Sequence, residues 1–405
     1  MKLLHKFNFW ALPIAGISLA IWIWLTQNGF GLTTDAKAYL YAAESFRKQG
    51  ELLTPQGYYT NWTPLFPFLL SFMPVKVLFG ATLLLNLFLL YWLVHQTIIN
   101  RFWQTICYLH TSLSVVLVMV HFFVWSEALF LTFLLAITIL FLQMLEKERS
   151  AFFYSLILLS NLLCLQRMAG IFFVIAFALL FAYYFSWEKA FRYFVLSSLG
   201  LGLWLVRNSF LQGKPDFLEN IWAVTMSESF IGYAESFVKL FVPTYDMSSW
   251  LVIVMFIVIL IGSGILSANE RTLFVLFFLF FFYFAVMLAL SMNIPFESDR
   301  YASPVMPFLQ IIFWKRLNTF EGEKEKFRSK FRYFIMIVVI AYNLFRTYWN
   351  VQQWYYFPPL EMYKATHHKF WHIRQGYFAN YAHAKPKPLH FQPSASSNQD
   401  FLNIC

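Results

Sequence analysis

The chain has 405 residues, of which 60% are hydrophobic and only 12% charged. Soluble domains carry about 25% charged residues, so this composition excludes a water-solvated globule and predicts an all-α, polytopic membrane protein. The formal net charge of +10 does not call for a nucleic-acid partner, because basic residues of membrane proteins gather in cytoplasmic loops.

Residues 9–26 form a first apolar segment behind Lys2 and Lys6. It is longer than a signal-peptide core and no small-residue cleavage site follows, so we read an uncleaved span with the N-terminus inside. The loop 28–75 then lies outside. Within it, Ala36 to Phe46 carries apolar residues at helical spacing, with Lys37, Glu44 and Arg47 on other faces. That pattern predicts a helix lying along the membrane surface. The run from Pro64 to Met73 is too short to cross alone and is expected to re-enter or lie at the interface.

Further spans are predicted at 76–95, 102–120, 125–145, 151–166, 169–186, 190–206, 250–267, 272–292, 303–316 and 333–349, about eleven in all. The split of 151–186 falls at Arg167-Met168. Lys and Arg concentrate in the connections this topology puts inside, most densely in residues 315–332 (KRLNTFEGEKEKFRSKFR), which fits the positive-inside bias. An odd number of spans leaves a short tail, 350–405, outside. It holds Pro358, Pro359 and scattered histidines (His367, His368, His372, His383, His390) without a ligand pattern, and disorder is expected from about Pro393. Cys107 and Cys164 sit in apolar runs and Cys405 is terminal, a spacing that suits neither a metal site nor a disulfide framework. Neither solenoid repeats nor inverted halves are visible.

Four charges stand out against apolar surroundings. Glu127 is the only Asp, Glu, Lys or Arg between Arg101 and Glu146, Arg167 is alone between Arg149 and Glu188, and Arg207 is alone between Arg192 and Lys214. Arg300 closes the charged part of FESDRYASPVMP. A charge at the bilayer centre costs roughly 2.5–3.5 kcal/mol on the insertion scale, so each needs a partner, water or a job. The topology puts all four on the side that carries Asp35. Each also has a plain structural reading. Glu127 with an arginine makes a helix-end ion pair, Arg207 an interfacial anchor, and Asp35 an N-cap for a helix starting near Lys37, with Thr34 as rival.

Guanidinium forks bind phosphate bidentately, and a carboxylate beside a departing phosphate can take a proton from an incoming hydroxyl. Tyr58, Tyr59 and Trp62 would suit the apolar face of a sugar, or equally an interfacial belt. At these residues the chain resembles a family. The stretch TTDAKAYLYAAESFRKQGEL…WTPLFPFLLSF is similar to the first external loop of GT-C-type integral membrane glycosyltransferases. WSEALFLTFLLA, LQRMAGIFFVIAFALL, WLVRNSFLQGKP and RYASPVMPF follow in the family's order. The branch it resembles lies near the protein O-mannosyltransferases and the lipid A aminoarabinose transferase, over most of residues 1–317.

The resemblance implies a multi-pass protein of the cytoplasmic membrane. Its partners would be membrane lipid and a polyprenyl-phosphate sugar donor, with transfer to an acceptor hydroxyl on the outer face. Asp35 would be the catalytic base. Arg167, Arg207 and Arg300 would hold the donor phosphate, and Glu127, Tyr301, Lys37 and Glu44 would support them. Two features depart from the pattern: Ala36 stands where many relatives carry a second acid, and the tail is short. Some members bind a divalent cation and others do not, and no ligand set marks one here. Rival readings of the same residues are a transporter or flippase for a lipid-linked saccharide, and a non-catalytic assembly subunit.

Overall fold

The computed structural model of the chain describes residues 9–212, 224–244, 247–291, 297–319, 326–356, 361–364 and 369–372. Among these, sixteen α-helices supply nearly all the regular structure. Apolar sequence without water to satisfy its backbone folds as helix, because only a helix pairs every peptide group within its own segment.

Helix α1 (Ala11–Leu25) ends in a 3-10 turn and the two-residue strand β1 (Phe30–Gly31), which leads into α2 (Thr34–Gln49). Helix α2 stops at Gly50, whose φ of 76° is the left-handed conformation that terminates helices and suits glycine. A tight hairpin, β2 (Leu53–Thr54) and β3 (Gly57–Tyr58), then turns the chain into α3 (Leu65–Phe72). As expected, α3 is far too short to cross, and it packs against α2. A run of rings, Trp22–Phe30–Phe79–Phe66–Tyr39, passes from α1 through β1, the helix that follows α3 (Val75–Thr97) and α3 to α2, with neighbouring centroids 5.1–6.3 Å apart. The first loop is therefore welded to the helix bundle by buried aromatics.

The remaining helices follow the predicted segments. They are α4 (Val75–Thr97), α5 (Arg101–Ser112), α6 (Val115–Phe122), α7 (Glu127–Glu146), α8 (Ser150–Gln166), α9 (Gly170–Tyr184) and α10 (Trp187–Gln212). The segment predicted as one span at 102–120 is a pair bent by 40°, because Ser114 stops one helix and caps the next through the Leu117 amide. The α8–α9 break falls at Arg167, as read. Gly170 is required there, since a Cβ would sit 2.7 Å from the Leu163 carbonyl oxygen.

Beyond Gln212 come α11 (Met226–Val238), α12 (Ser249–Ser267), α13 (Arg271–Ala289), the short α14 (Ser298–Ala302), α15 (Met306–Thr319) and α16 (Lys326–Tyr356). Helix α11 was not expected, although Thr225 and Glu228 form a reciprocal capping box at its start. Among the described residues six helices (α1 with its 3-10 turn, α4, α7, α10, α13 and α16) are long and apolar enough to cross a membrane, and the bent pair makes a seventh. Helices α8, α9 and α12 are shorter apolar helices. The eleven predicted segments thus all appear as helix, without all eleven meeting the length of a crossing.

The boundary expected at 349 falls inside α16, which runs on to Tyr356 because no helix breaker precedes Pro358. The strands β4 (Glu361–Lys364) and β5 (Lys369–His372) form a hairpin whose first strand pairs antiparallel with β1, Gly31 opposite Met362. The tail is therefore joined to the first loop at its beginning. The disorder expected from Pro393, and four of the five tail histidines, lie outside the described residues.

Candidate active site

Thr33, in extended conformation, caps α2 by accepting the Ala36 amide on its hydroxyl. Neither Asp35 nor Thr34 is the cap. Asp35 sits instead in the first helical turn, where a negative charge is favoured by the helix dipole. Thr33 also accepts the indole N–H of Trp125 at 3.0 Å. Just before that, the Val124 amide donates to the Gly31 carbonyl at 3.0 Å. These two bonds lock the strand leading to Asp35 against the strand-like segment leading to Glu127.

Around that lock three of the four isolated charges, Glu127, Arg167 and Arg300, meet Asp35. Arg300 is 3% exposed and lies at the centre. Its Nη2 donates to Asp35 Oδ2 at 2.8 Å, its Nη1 to Glu297 Oε2 at 3.0 Å, and its Nε to Glu127 Oε1. Arg167 pairs with the same Glu127 oxygen and donates to the Ser126 hydroxyl at 3.2 Å. Gln166 Nε2 holds the Ser126 carbonyl at 2.9 Å. Glu127 is 1% exposed, so its charge lives on the two guanidiniums. The indole of Trp125 lies 4.6 Å from the Arg300 guanidinium, and the Tyr301 ring lies about equally far from Arg300 and Arg167, at 5.8 and 6.0 Å. Tyr301 is itself fixed by the Tyr283 hydroxyl, which donates to its carbonyl at 2.9 Å.

Asp35, Glu127, Arg167, Arg300 and Tyr301 thus come together from α2, α7, the α8–α9 turn and α14. Burial raises the Glu297 carboxyl above the usual range; the Arg300 charge opposes that shift, and Asp35 and Glu127 add to it. Asp35 and Glu297 are 28% and 29% exposed and form the open rim of the cluster. Behind it, Arg346 of α16 grips Asp299 at 3.1 Å and the Lys239 carbonyl at 2.8 Å, bracing α14 from the far side.

Other predicted site residues lie elsewhere. Arg207 is held at the tip of the first loop, 4.4 Å from the Trp204 ring and 5.9 Å from the Tyr58 ring, with Nη1 donating to the Tyr59 carbonyl at 3.2 Å. Asn208 and Trp204 donate to the carbonyls of Thr60 and Trp62. The end of α10 therefore clamps residues 59–62, and among the described residues no ion pair joins Arg207 to the carboxylates around Arg300. Tyr59 is fully buried and offers no face to a sugar, whereas Tyr58 is exposed and Trp62 is half-buried against Tyr59 and Tyr39. Lys37 is exposed two residues beyond Asp35, a spacing that puts the two on different helix faces. Glu44 pairs with Arg47 and Lys48 on the exposed surface of its own helix.

Sequence reasoning missed Trp125, Glu297 and Thr33. The first two stood inside the quoted strings WSE and FESDR, where a neighbour on the same turn was chosen instead. Among the described residues no group of three His, Cys, Asp or Glu side chains is arranged to hold a metal ion. The three carboxylates face Arg300.

No family model matches the chain, and no curated protein matches it by sequence. Solved structures do. ArnT from Cupriavidus metallidurans bound to undecaprenyl phosphate superposes with a TM-score of 0.56 at 10% identity, over 85% of this chain and 72% of that one. The apo state of the same protein gives a TM-score of 0.52 at 12% identity over the same shares. The Archaeoglobus fulgidus oligosaccharyltransferase, in complex with Zn and sulfate, gives 0.52 at 12% identity over 84% of this chain, which spans about half (53%) of that larger one. Both proteins are GT-C glycosyltransferases. The chain has the GT-C fold. In this version of it the ionisable cluster is assembled between the first loop and the turn before α15.

Proposed function

We propose that this protein is a membrane glycosyltransferase that takes a sugar from a polyprenyl-phosphate donor and passes it to an acceptor hydroxyl outside the cytoplasmic membrane. One observation carries this reading: on a GT-C fold, four distant segments deliver Asp35, Glu127, Arg167 and Arg300 into a single contact. Chain segments this remote do not converge their rare charges merely to solvate loops.

Asp35 is the proposed base. It stands at the rim, in the first turn of a rigid helix, with Arg300 holding one carboxylate oxygen. Its carboxylate takes the proton of the acceptor hydroxyl while that oxygen attacks the anomeric carbon. The bond from that carbon to the phosphate oxygen breaks, and polyprenyl phosphate leaves with the electron pair. A single displacement of this kind inverts the anomeric centre. Arg167 and Arg300 receive the phosphate, and the buried Glu127 holds both guanidiniums in place. Arg207 positions the loop that carries Tyr58 and Trp62 over the sugar.

The test is direct. Purified protein is incubated with a panel of polyprenyl-phosphate sugars, hexosyl and pentosyl, and release of free polyprenyl phosphate is followed. Release from one donor that depends on Asp35 supports the reading. Movement of intact donor across a bilayer without bond cleavage would replace it with a transport function.

A further inference from the structure

We propose that the carboxylate of Glu297 and a donor phosphate oxygen compete for the same place on Arg300, and that Glu297 so sets how tightly the phosphate binds. This rests on the reading above in which Arg300 receives the phosphate.

Each nitrogen of the Arg300 guanidinium meets a carboxylate: Nε Glu127, Nη2 Asp35 at 2.8 Å and Nη1 Glu297 at 3.0 Å. A phosphate that takes any of these three positions on Arg300 displaces the carboxylate there. Glu127 is fully buried and shared with Arg167, so it cannot leave without stranding two cations. Asp35 is built into the first turn of a capped, sixteen-residue helix packed by buried rings. Glu297 has no comparable hold. It precedes the five-residue α14, its carboxylate pairs with Arg300 three residues on, and it lies at the rim.

Charge points the same way. Three carboxylates face two guanidiniums, so an incoming phosphate adds negative charge to a cluster already in excess. Loss of the Glu297 charge removes that excess. Its carboxyl is already raised by burial, so a proton can neutralise it. The charged and titratable groups facing it are Arg300 and Tyr301 from its own turn, Asp35 from α2 and Glu127 from α7. Helix α11, packed beside α14, holds Glu235 and Lys239 as a pair of their own, and Arg346 is engaged by Asp299. On α6, His121 is bonded to Leu117 and Asn86.

The experiment measures binding of farnesyl phosphate to the full-length protein in micelles between about pH 5.5 and 8, with farnesol as the probe lacking phosphate. Removing one negative charge beside the phosphate should tighten binding by Glu297→Gln about ten- to a hundredfold at the alkaline end. As pH falls the parent protonates Glu297 and its affinity should converge on that of the variant. The probe's own second ionisation, near pH ~6, is common to both proteins and cancels in their ratio. Glu297→Ala should behave like the amide and guards against a misfolded single variant. Equal or weaker binding by both variants at every pH overturns this competition. If the parent binds farnesyl phosphate no better than farnesol at any pH, the phosphate reading itself fails, and the competition with it.

Discussion

Arg300 and Arg207 present similar signals in the sequence, a guanidinium beside an apolar run, yet they meet opposite surroundings. Arg300 is buried among three carboxylates drawn from two helices and its own turn. Arg207 is held by an aromatic face, a backbone carbonyl and the amide of Asn208, and among the described residues no carboxylate lies within ion-pair distance of it. A desolvated guanidinium can be satisfied either way. Ringed by carboxylates it becomes an electrostatic hub that orders whatever shares its charge; stacked and bonded to carbonyls it becomes a mechanical clamp. Isolation of a charge therefore says that a partner is needed, and not which kind.

The sharpest way to break this comparison is to disarm the hub's open rim. Asp35→Asn keeps size and the Arg300 contact but cannot accept a proton, so turnover should fall by roughly 10²–10⁴ with expression near the parent's and donor binding no weaker. Sugar transfer at close to the parental rate would make Asp35 a mere partner of Arg300.

The next effect should appear in stability. Glu127→Gln takes from Arg167 the carboxylate it pairs with and from the buried Arg300 one of three, and breaking a buried pair costs roughly 3–5 kcal/mol. A clear drop in melting temperature is expected together with lost turnover. From the sequence alone, such a drop would have argued for a purely structural ion pair. With both guanidiniums of the cluster on one carboxylate, it is expected of a site residue too. What separates the cases is the double variant Glu127→Gln with Arg167→Met. Stability regained without activity marks a site, and both regained together would mark simple packing.

For the clamp, Arg207→Ala loses one hydrogen bond to a carbonyl and a cation–π contact, on the order of 1–2 kcal/mol together. It should raise KM several-fold through a loosened 58–62 loop and leave kcat near the parent's. A kcat loss as large as that of Asp35→Asn would move Arg207 into the chemistry and erase the contrast drawn here.

Much of this was legible from the chain because apolar length and lone charges are strong signals in lipid. The segments, the Arg167 break and Glu127 follow from them, while Asp35 and Arg300 stood out by the side on which the topology put them and by the family resemblance. Partner choice was not legible, since it depends on contacts across as many as 265 positions, as between Arg300 and Asp35. Glu297 and Trp125 were passed over for a related reason. Each adjoins a more conspicuous charge, and only the turn geometry shows that both neighbours point at the same guanidinium. Helix α11 was overlooked although the string TMSE at 225–228 spells its capping box, because no long apolar run accompanies it.

The smallest expected effects test whether position along α2 matters as the comparison requires. Thr33 and Glu44 lie near opposite ends of that helix. Thr33→Val removes the hydroxyl that caps Ala36 and receives the Trp125 indole; losing a cap costs about 1 kcal/mol, and here it also frees the turn that aims Asp35. Turnover should fall several-fold with only a slight drop in melting temperature. Glu44 is nine residues beyond Asp35, roughly 14 Å along the axis at 1.5 Å per residue, and is tied to Arg47 and Lys48 at the surface. Exposed pairs of this kind contribute roughly 0.3–0.5 kcal/mol, so Glu44→Gln should leave both stability and turnover almost unchanged. If instead Glu44→Gln were the more damaging of the two, the reacting end of α2 would be its C-terminal one, and the cluster around Arg300 would be scaffold.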